Sequence, residues 1–301
     1  MKTTLLSVLV ITYNQECTIA KTIESIVSQK TQYPFKLIIA DDASSDKTPD
    51  IIRQYEAKYE NINCIINKNN LGAIKNYYNA LSFCKSTFIM ECAGDDYWLP
   101  NKIEKQMNIM ISNPDIGMSY SAAKVQTDGE IIENKLSGTG DYTTFEKLLQ
   151  GNGIPTPTVC MRRDVVDAYL RVIHPDEKPW IMEDYPMWLW ISKNSKIERI
   201  NDILAVYSIN TESVSHSDNY LKEERFAENV HKIGLYYAEN NLRHIKMTNR
   251  LYYHYMCNIS LKHKQLNSYR KYLSRELSLK ALCKIILSYS EYGRRILRKE
   301  H

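Results

Sequence analysis

The chain has 301 residues, 44% of them hydrophobic and 25% charged, the balance of an ordinary soluble globular protein with one large domain or a domain and an appendage. Its 10 glycines leave room only for a very local Gly-rich phosphate cradle, and no stretch approaches the roughly 18 apolar residues a membrane helix needs. The net charge of +4 is unevenly split: residues 218–301 hold 17 Lys/Arg against 8 Asp/Glu, a net of +9 that leaves −5 for residues 1–217, so the two parts are expected to do different jobs.

Leu5–Thr12 is a continuous apolar run leading directly into Thr12-Tyr13-Asn14-Gln15-Glu16, with no small-x-small cleavage site; it reads as a buried first strand and not as a signal peptide. Ile19, Ile23, Ile26 and Val27 then recur at helical spacing. Phe35–Ala40 is a second strand, ending at Asp41-Asp42. Thr48 as N-cap, Pro49 at the first helical position and Asp50 in the first turn open the next helix. Ile62–Ile66 reads as a third strand, 72–84 as a helix and Thr87–Glu91 as a fourth strand. Such alternation predicts a parallel sheet with both faces covered, whose ligands sit beyond the C-terminal strand ends. Thr12–Glu16, Asp41–Asp46 and Gly94–Asp96 all follow strands, which puts three polar clusters on one sheet edge.

Further on, Asp115–Gln126 and Thr156–Met161 read as strands, Thr143-x-x-Glu146 as a capping box before a short helix, Glu183–Asn194 as a helix rich in Trp and Met, and Ile203–Tyr207 as a late strand. From about 218 the pattern is helical and basic. The seven cysteines are scattered and form no CxxC, which fits neither a disulfide framework nor a zinc ribbon and suits a reducing cytoplasm.

Four constellations can carry chemistry. Asp41-Asp42 is either a polar turn or a carboxylate pair able to accept a uracil imide hydrogen. Gly94-Asp95-Asp96-Tyr97-Trp98 is either a solvated loop or an oxygen site for Mg²⁺ or Mn²⁺, which in turn grips a diphosphate. Glu183-Asp184 is either a dipole-favoured helix cap or a general base with its neighbour. His216 is either incidental or a third metal ligand or phosphate contact, while Lys68 and Lys75 are either surface cations or donor-phosphate contacts. No GxGxxG follows the first strand, and GxxxxGK[ST], GxSxG and HExxH are absent, which disfavours dinucleotide, P-loop, serine-hydrolase and zincin chemistry.

In order, Val8-Leu9-Val10-Ile11-Thr12-Tyr13-Asn14, Ala40-Asp41-Asp42-Ala43-Ser44-Ser45-Asp46-Lys47-Thr48, Asn70-Leu71-Gly72 with Lys75-Asn76, Gly94-Asp95-Asp96-Tyr97-Trp98 with Pro100 and Lys102, and Glu183-Asp184-Tyr185-Pro186 resemble glycosyltransferase family 2. The resemblance covers about residues 5–215. It implies an α/β fold of GT-A type, a Rossmann-related, mostly parallel sheet with flanking helices, followed by the helical C-terminal region. The implied catalytic domain spans 1–217, with a nucleotide-sugar half of about 1–112 and an acceptor half of about 113–217; the basic helical region spans 218–301. The implied activity is inverting transfer of a sugar from a nucleotide diphosphate, UDP above all, to an acceptor hydroxyl in surface-polysaccharide or glycoconjugate synthesis. Thr12, Tyr13, Glu16 and Asp42 would line the nucleoside pocket, and Asn14, Asp41, Asn70, Gly72, Lys75 and Asp96 belong to the same donor-binding set. Asp95 would hold Mn²⁺ or Mg²⁺, with His216 a replacement ligand, and Asp184 would be the base. Gly153–Thr158 resembles an acceptor-side segment.

The chain departs from the family at Ala93, which replaces the first acid of DxD, and at Tyr207-Ser208-Ile209-Asn210, where Tyr-Arg-x-His is frequent. The rivals are a sugar-nucleotide-binding protein without transfer activity, suggested by Ala93, and a sugar nucleotidyltransferase, which should carry an Arg-containing Gly-rich loop where Thr12–Glu16 stands. The expected partners are the donor and a glycan or lipid-linked saccharide acceptor, with no nucleic acid. Residues 277–299 align Leu282, Ile285, Ile286, Tyr289, Ile296 and Leu297 beside Lys284, Arg294, Arg295, Arg298 and Lys299, a helix that either packs on this chain or a second copy, or rests on the inner face of the plasma membrane.

Overall fold

The computed structural model describes residues 4–209, 219–276, 284 and 286–290. The chain divides into two compact units, one of 1–148 with 152–209 and the other of 149–151 with 210–301. The boundary expected at 217/218, His216, and all of the 277–299 segment except 284 and 286–290 lie outside the described residues.

The first unit begins with β1 (Leu6–Thr12), α1 (Ile19–Val27), β2 (Phe35–Asp41), α2 (Thr48–Lys58), β3 (Ile62–Ile66), α3 (Ala73–Leu81) and β4 (Phe88–Ala93). β1, β2, β3 and β4 are parallel, in spatial order 3-2-1-4. Helical crossovers cover both faces, and so β1 is apolar and buried almost throughout. Val8, Val10, Ile23, Ile39, Ile52, Met90 and Cys92 join one core cluster. Truncating one of its isoleucines to alanine costs about 2–5 kcal/mol.

The second half of the sheet is mixed. β5 (Tyr97–Trp98), α4 (Lys102–Ser112), β6 (Ile116–Thr127), β7 (Glu130–Ser137), α5 (Phe145–Leu148), β8 (Cys160–Arg162), α6 (Arg163–Ile173), α7 (Asp184–Asn194) and β9 (Lys196–Ser208) complete the unit. β8 runs antiparallel between β4 and β6, β9 lies parallel to β6, and β5 closes against β9. The α/β fold with flanking helices is the one the sequence implies, but the sheet is mostly parallel only in its first half.

Three details differ from the sequence reading. Thr156–Met161, expected as a strand, opens as a 3-10 turn at Thr156–Thr158, because Pro155 and Pro157 offer no N–H to a ladder. Thr48 does not cap α2: its hydroxyl accepts the N–H of Gln15 at 2.8 Å, and Asp46 Oδ1 takes the Thr48 N–H at 2.9 Å instead. Helix α6 and the exposed strand β7 had no counterpart in the expected elements.

The second unit is helical: α8 (Tyr220–Ala238), α9 (Leu242–Lys262) and α10 (Leu266–Leu273). Asn219 and Asn241 cap α8 and α9, each side-chain oxygen accepting two backbone N–H groups. Among the described residues no helix is long and apolar enough to cross a membrane.

Candidate active site

Strand register levels the polar clusters. Thr12 pairs with Asp41, Asp41 with Ile66, and Ile11 with Ala93, so the C-terminal ends of β1, β2, β3 and β4 form one edge. The loops leaving β1 and β2 are bonded to each other. Asn14 N–H donates to Ser44 Oγ at 2.8 Å, Ser45 N–H to Asn14 Oδ1 at 2.9 Å, Glu16 N–H to Asp46 Oδ2 at 3.0 Å and Lys47 N–H to Glu16 Oε2 at 2.8 Å. Asn14 and Ala43 sit at φ 50° and 59°, the left-handed turn that lets these loops meet. Asp41 is buried and accepts the Ser44 N–H at 3.0 Å and its hydroxyl at 2.5 Å.

Asp42 shapes the neighbouring loop. Its Oδ1 accepts Asn67 Nδ2 at 3.0 Å and Leu71 N–H at 2.8 Å, and its Oδ2 accepts Gly72 N–H at 2.8 Å. Asn70 donates to the Asp42 carbonyl at 3.0 Å. This carboxylate folds the 67–72 turn, whose exit at Gly72 takes φ 83°. Tyr13, Asn14, Glu16, Asn70, Gly72 and Lys75 are exposed around this edge, as is Lys68, whereas Thr12 is buried and donates to Gln15 Oε1 at 2.8 Å.

Gly94 passes directly beneath that pair. A Cβ there would stand 2.3 Å from Gln15 Oε1 and 2.7 Å from Thr12 Oγ1, and Thr22 fastens the loop from behind by donating to the Gly94 carbonyl at 3.0 Å and the Asp96 carbonyl at 2.6 Å. The two acids that follow diverge. Asp96 is buried, and its Oδ1 accepts the Ser208 N–H at 2.7 Å, which ties the loop to β9. Burial, and then the charge of Asp95, pushes its pKa up. Asp95 is only half-buried, and its backbone carbonyl accepts the Ser208 hydroxyl at 2.5 Å.

Among the described residues no group of three or more His, Cys, Asp and Glu side chains could hold a metal ion. Glu91 does not stand in for the acid missing at Ala93. It is buried, its Oε1 accepts the hydroxyl of Tyr77, and desolvation pushes its pKa up to about 8. One carboxylate at the edge, Asp95, still suits Mg²⁺ or Mn²⁺, which take one or two protein carboxylates and complete their shell with substrate phosphates and water.

The second acidic pair lies at the start of α7. Desolvation, and then the charge of Asp184, raises the pKa of Glu183 to about 7; desolvation also raises that of Asp184. Glu183 and Asp184 both bear electrostatically on Glu91, so the start of α7 and the end of β4 are neighbours. Asp184 Oδ2 accepts Asn152 Nδ2 at 3.2 Å, and Asn152 Oδ1 accepts the Ile154 N–H at 3.3 Å. The Gly153–Thr158 segment is braced as well. Tyr120 donates to the Gly140 carbonyl at 2.8 Å, its own oxygen accepts the Tyr142 N–H, and the Tyr142 ring lies so close to Gly153 that a Cβ there would meet its hydroxyl at 2.2 Å. Trp188 is fully buried in the core, and Trp98 is 3% exposed beside the Lys102 ammonium.

Sequence reasoning did not single out Asn152 or the bond between Tyr77 and Glu91, and it met Ser208 only as part of the departure at 207–210. Asn152 had a readable signal, an amide side chain directly before the Gly153–Thr158 segment. The bonds of Glu91 and Ser208 had none, since the first depends on where α3 brings Tyr77 and the second on where β9 meets the loop after β4.

The family profile for glycosyl transferase family 2 matches residues 7–170. An uncharacterized protein of Mycobacterium tuberculosis is 32% identical over 185 residues, 56% of this chain and 53% of its own, so the match spans about half that relative's length. The Escherichia coli UDP-Glc:α-D-GlcNAc-diphosphoundecaprenol β-1,3-glucosyltransferase WfaP is 33% identical over 251 residues, 79% of this chain and 94% of its own. Among solved structures, Staphylococcus aureus TarS 1–349 in complex with UDP-GlcNAc superposes with a TM-score of 0.62 at 17% identity, covering 96% of this chain and 82% of that one. The mannosyltransferase PcManGT of Pyrobaculum calidifontis, in complex with GDP-Man and Mn²⁺, superposes with a TM-score of 0.57 at 14% identity over 96% and 82% of the two chains. These two likenesses bear on the fold; the profile and the sequence relatives bear on descent, and by them the chain belongs to glycosyltransferase family 2.

Proposed function

We propose that this protein transfers a sugar from a UDP-sugar to a hydroxyl of a lipid-linked saccharide, with inversion at the anomeric carbon, on the cytoplasmic face of the membrane. The observation that carries the reading is Asp184: a carboxylate at a helix start, one oxygen held by Asn152, beside the sheet end where Asp95 stands. WfaP supplies the comparison for donor and acceptor class.

In this reading Thr12, Tyr13, Asn14, Glu16, Asp41, Asp42, Asn70, Gly72 and Lys75 form the nucleoside and ribose edge, and Asp96 keeps the Gly94–Asp95 loop in place. Asp95 would hold a divalent cation, Mn²⁺ or Mg²⁺, which would supply neutralisation of charge on the departing diphosphate. Asp184 Oδ1 takes the proton of the acceptor hydroxyl while that oxygen bonds to the anomeric carbon. The bond to the diphosphate breaks on the opposite face and UDP leaves, so a single displacement inverts the centre.

The test is a panel of UDP-, GDP- and dTDP-sugars with a polyprenyl-diphosphate-linked sugar acceptor, the product's anomeric configuration being read by NMR. Turnover with UDP-sugars and an inverted product is expected. Turnover confined to GDP-sugars overturns the donor assignment, and a retained configuration overturns the single displacement.

A further inference from the structure

Helix α9 runs for 21 residues without an aspartate or glutamate. Arg243, Lys246 and Arg250 fall at i, i+3 and i+7, on one side of the helix, and with Met247 they line an open cleft of about 370 Å³. All three cations are exposed, and none has a carboxylate partner among the described residues. Elsewhere in the same hairpin charges are matched: Lys262 Nζ lies 2.8 Å from Glu223 and Lys232 Nζ 3.9 Å from Glu228. Three like charges on one helix side repel one another, and the positive end of the α9 dipole adds to their field. An anionic partner would relieve that repulsion.

The apolar surroundings identify the partner. At the same end of the α8–α9 hairpin, Leu242 is 73% exposed and Tyr236 44%. Cations alone would serve a soluble polyanion. A projecting leucine and a tyrosine beside them suit a boundary where headgroup phosphates meet acyl chains.

We propose that this side of α9 docks on a bilayer rich in anionic phospholipid, with Arg243, Lys246 and Arg250 at headgroup phosphates and Leu242 in the interface. The idea rests on the lipid-linked acceptor proposed above for its purpose but not for its test, because vesicle binding is measured without donor or acceptor. Failure to dock and failure to transfer are thus separate results.

The experiment is cosedimentation of the full chain with vesicles of phosphatidylcholine alone, or with about one third phosphatidylglycerol, at low and high salt. Binding to the anionic vesicles only, weakened by salt, is expected. The triple change Arg243→Glu, Lys246→Glu and Arg250→Glu should lower affinity by roughly 100-fold or more. The corresponding triple glutamine variant, with UDP titration as a check on folding, gives the same answer should charge reversal impair the fold. Equal binding to neutral vesicles, no vesicle binding, capture by heparin without vesicle binding, or undiminished affinity in the folded glutamine variant each overturns the proposal.

Discussion

Asn152 gives its amide N–H to Asp184 Oδ2 at 3.2 Å while its own carbonyl is taken by the Ile154 N–H at 3.3 Å. The second bond decides the first: only the oxygen of the amide can accept from Ile154, so the NH₂ must face the carboxylate. One oxygen of Asp184 is thereby fixed on the Asn152 side, and backbone N–H groups at the start of α7 also stabilise the carboxylate.

Replacing that amide tests the arrangement. The Asn152 N–H holds the Asp184 pKa below the level that burial alone would set, so Asn152→Ala should raise it. A base works only when ionised, and the acidic limb of kcat/KM should move to higher pH. Transfer at pH 6 should drop by about 10-fold, with a smaller loss at pH 8. A loss equal at every pH would reduce Asn152 to a loop-holding role.

Asp184→Asn is nearly isosteric and should leave UDP binding and thermal stability close to those of the parent chain. Turnover should fall by about 10²–10⁴-fold. Near-normal transfer in this variant would remove Asp184 from its role as base.

For the cation, isothermal titration of UDP with and without Mn²⁺ is the measurement. Asp95→Ala should keep the fold and abolish the tightening that the metal brings. Glu91 is bonded to Tyr77 and so does not replace the lost carboxylate. A metal effect that survives in Asp95→Ala would point to another ligand.

Glu91 should also shape stability against pH. Its folded-state pKa, pushed up to about 8, stands above the 4.5 of a free glutamate. The folded state therefore keeps a proton that the unfolded chain releases, and stability is greatest below pH 4.5 as far as this group is concerned. It falls as pH climbs from there to about 8, then levels. Glu183, raised to about 7, slopes the same way over a narrower range. Glu91→Gln should flatten the fall in Tm between pH 5 and 8, by differential scanning fluorimetry. An unchanged slope would mean that Glu91 is ionised in the fold.

The strand–helix alternation of the first hundred residues was legible because each element carries its own periodicity. β1 is apolar but for Ser7 and Thr12, α1 repeats buried Ile19, Ile23 and Ile26, and Ile62–Ile66 coincides with β3. Helix α6 was equally readable, with Val166, Tyr169 and Ile173 at helical spacing, and so was the Asp128-Gly129 turn, whose residues take φ 52° and 81° before β7. β7 itself offered no pattern, since it buries almost nothing and is held only by its pairing to β6. In the site, Asp41, Asp42 and Asp95 stood out because acids at strand ends are conspicuous. The divergence of Asp95 from Asp96 could not be read, because it is decided by Ser208, 112 residues further on.

The loops after β1 and β2 are tied to each other by Asn14, Ser44, Ser45, Asp46 and Glu16, with left-handed turns at Asn14 and Ala43 in place of a glycine-rich stretch. A nucleotide arriving at this edge meets backbone already set by the chain's own bonds. Little chain entropy is left to lose on complex formation, and encounter, not loop closure, should set the association rate on this side. Stopped-flow UDP binding should accordingly show a single phase, linear in nucleotide concentration. With the donor bound here as proposed, nucleotide association should not be the step that limits turnover.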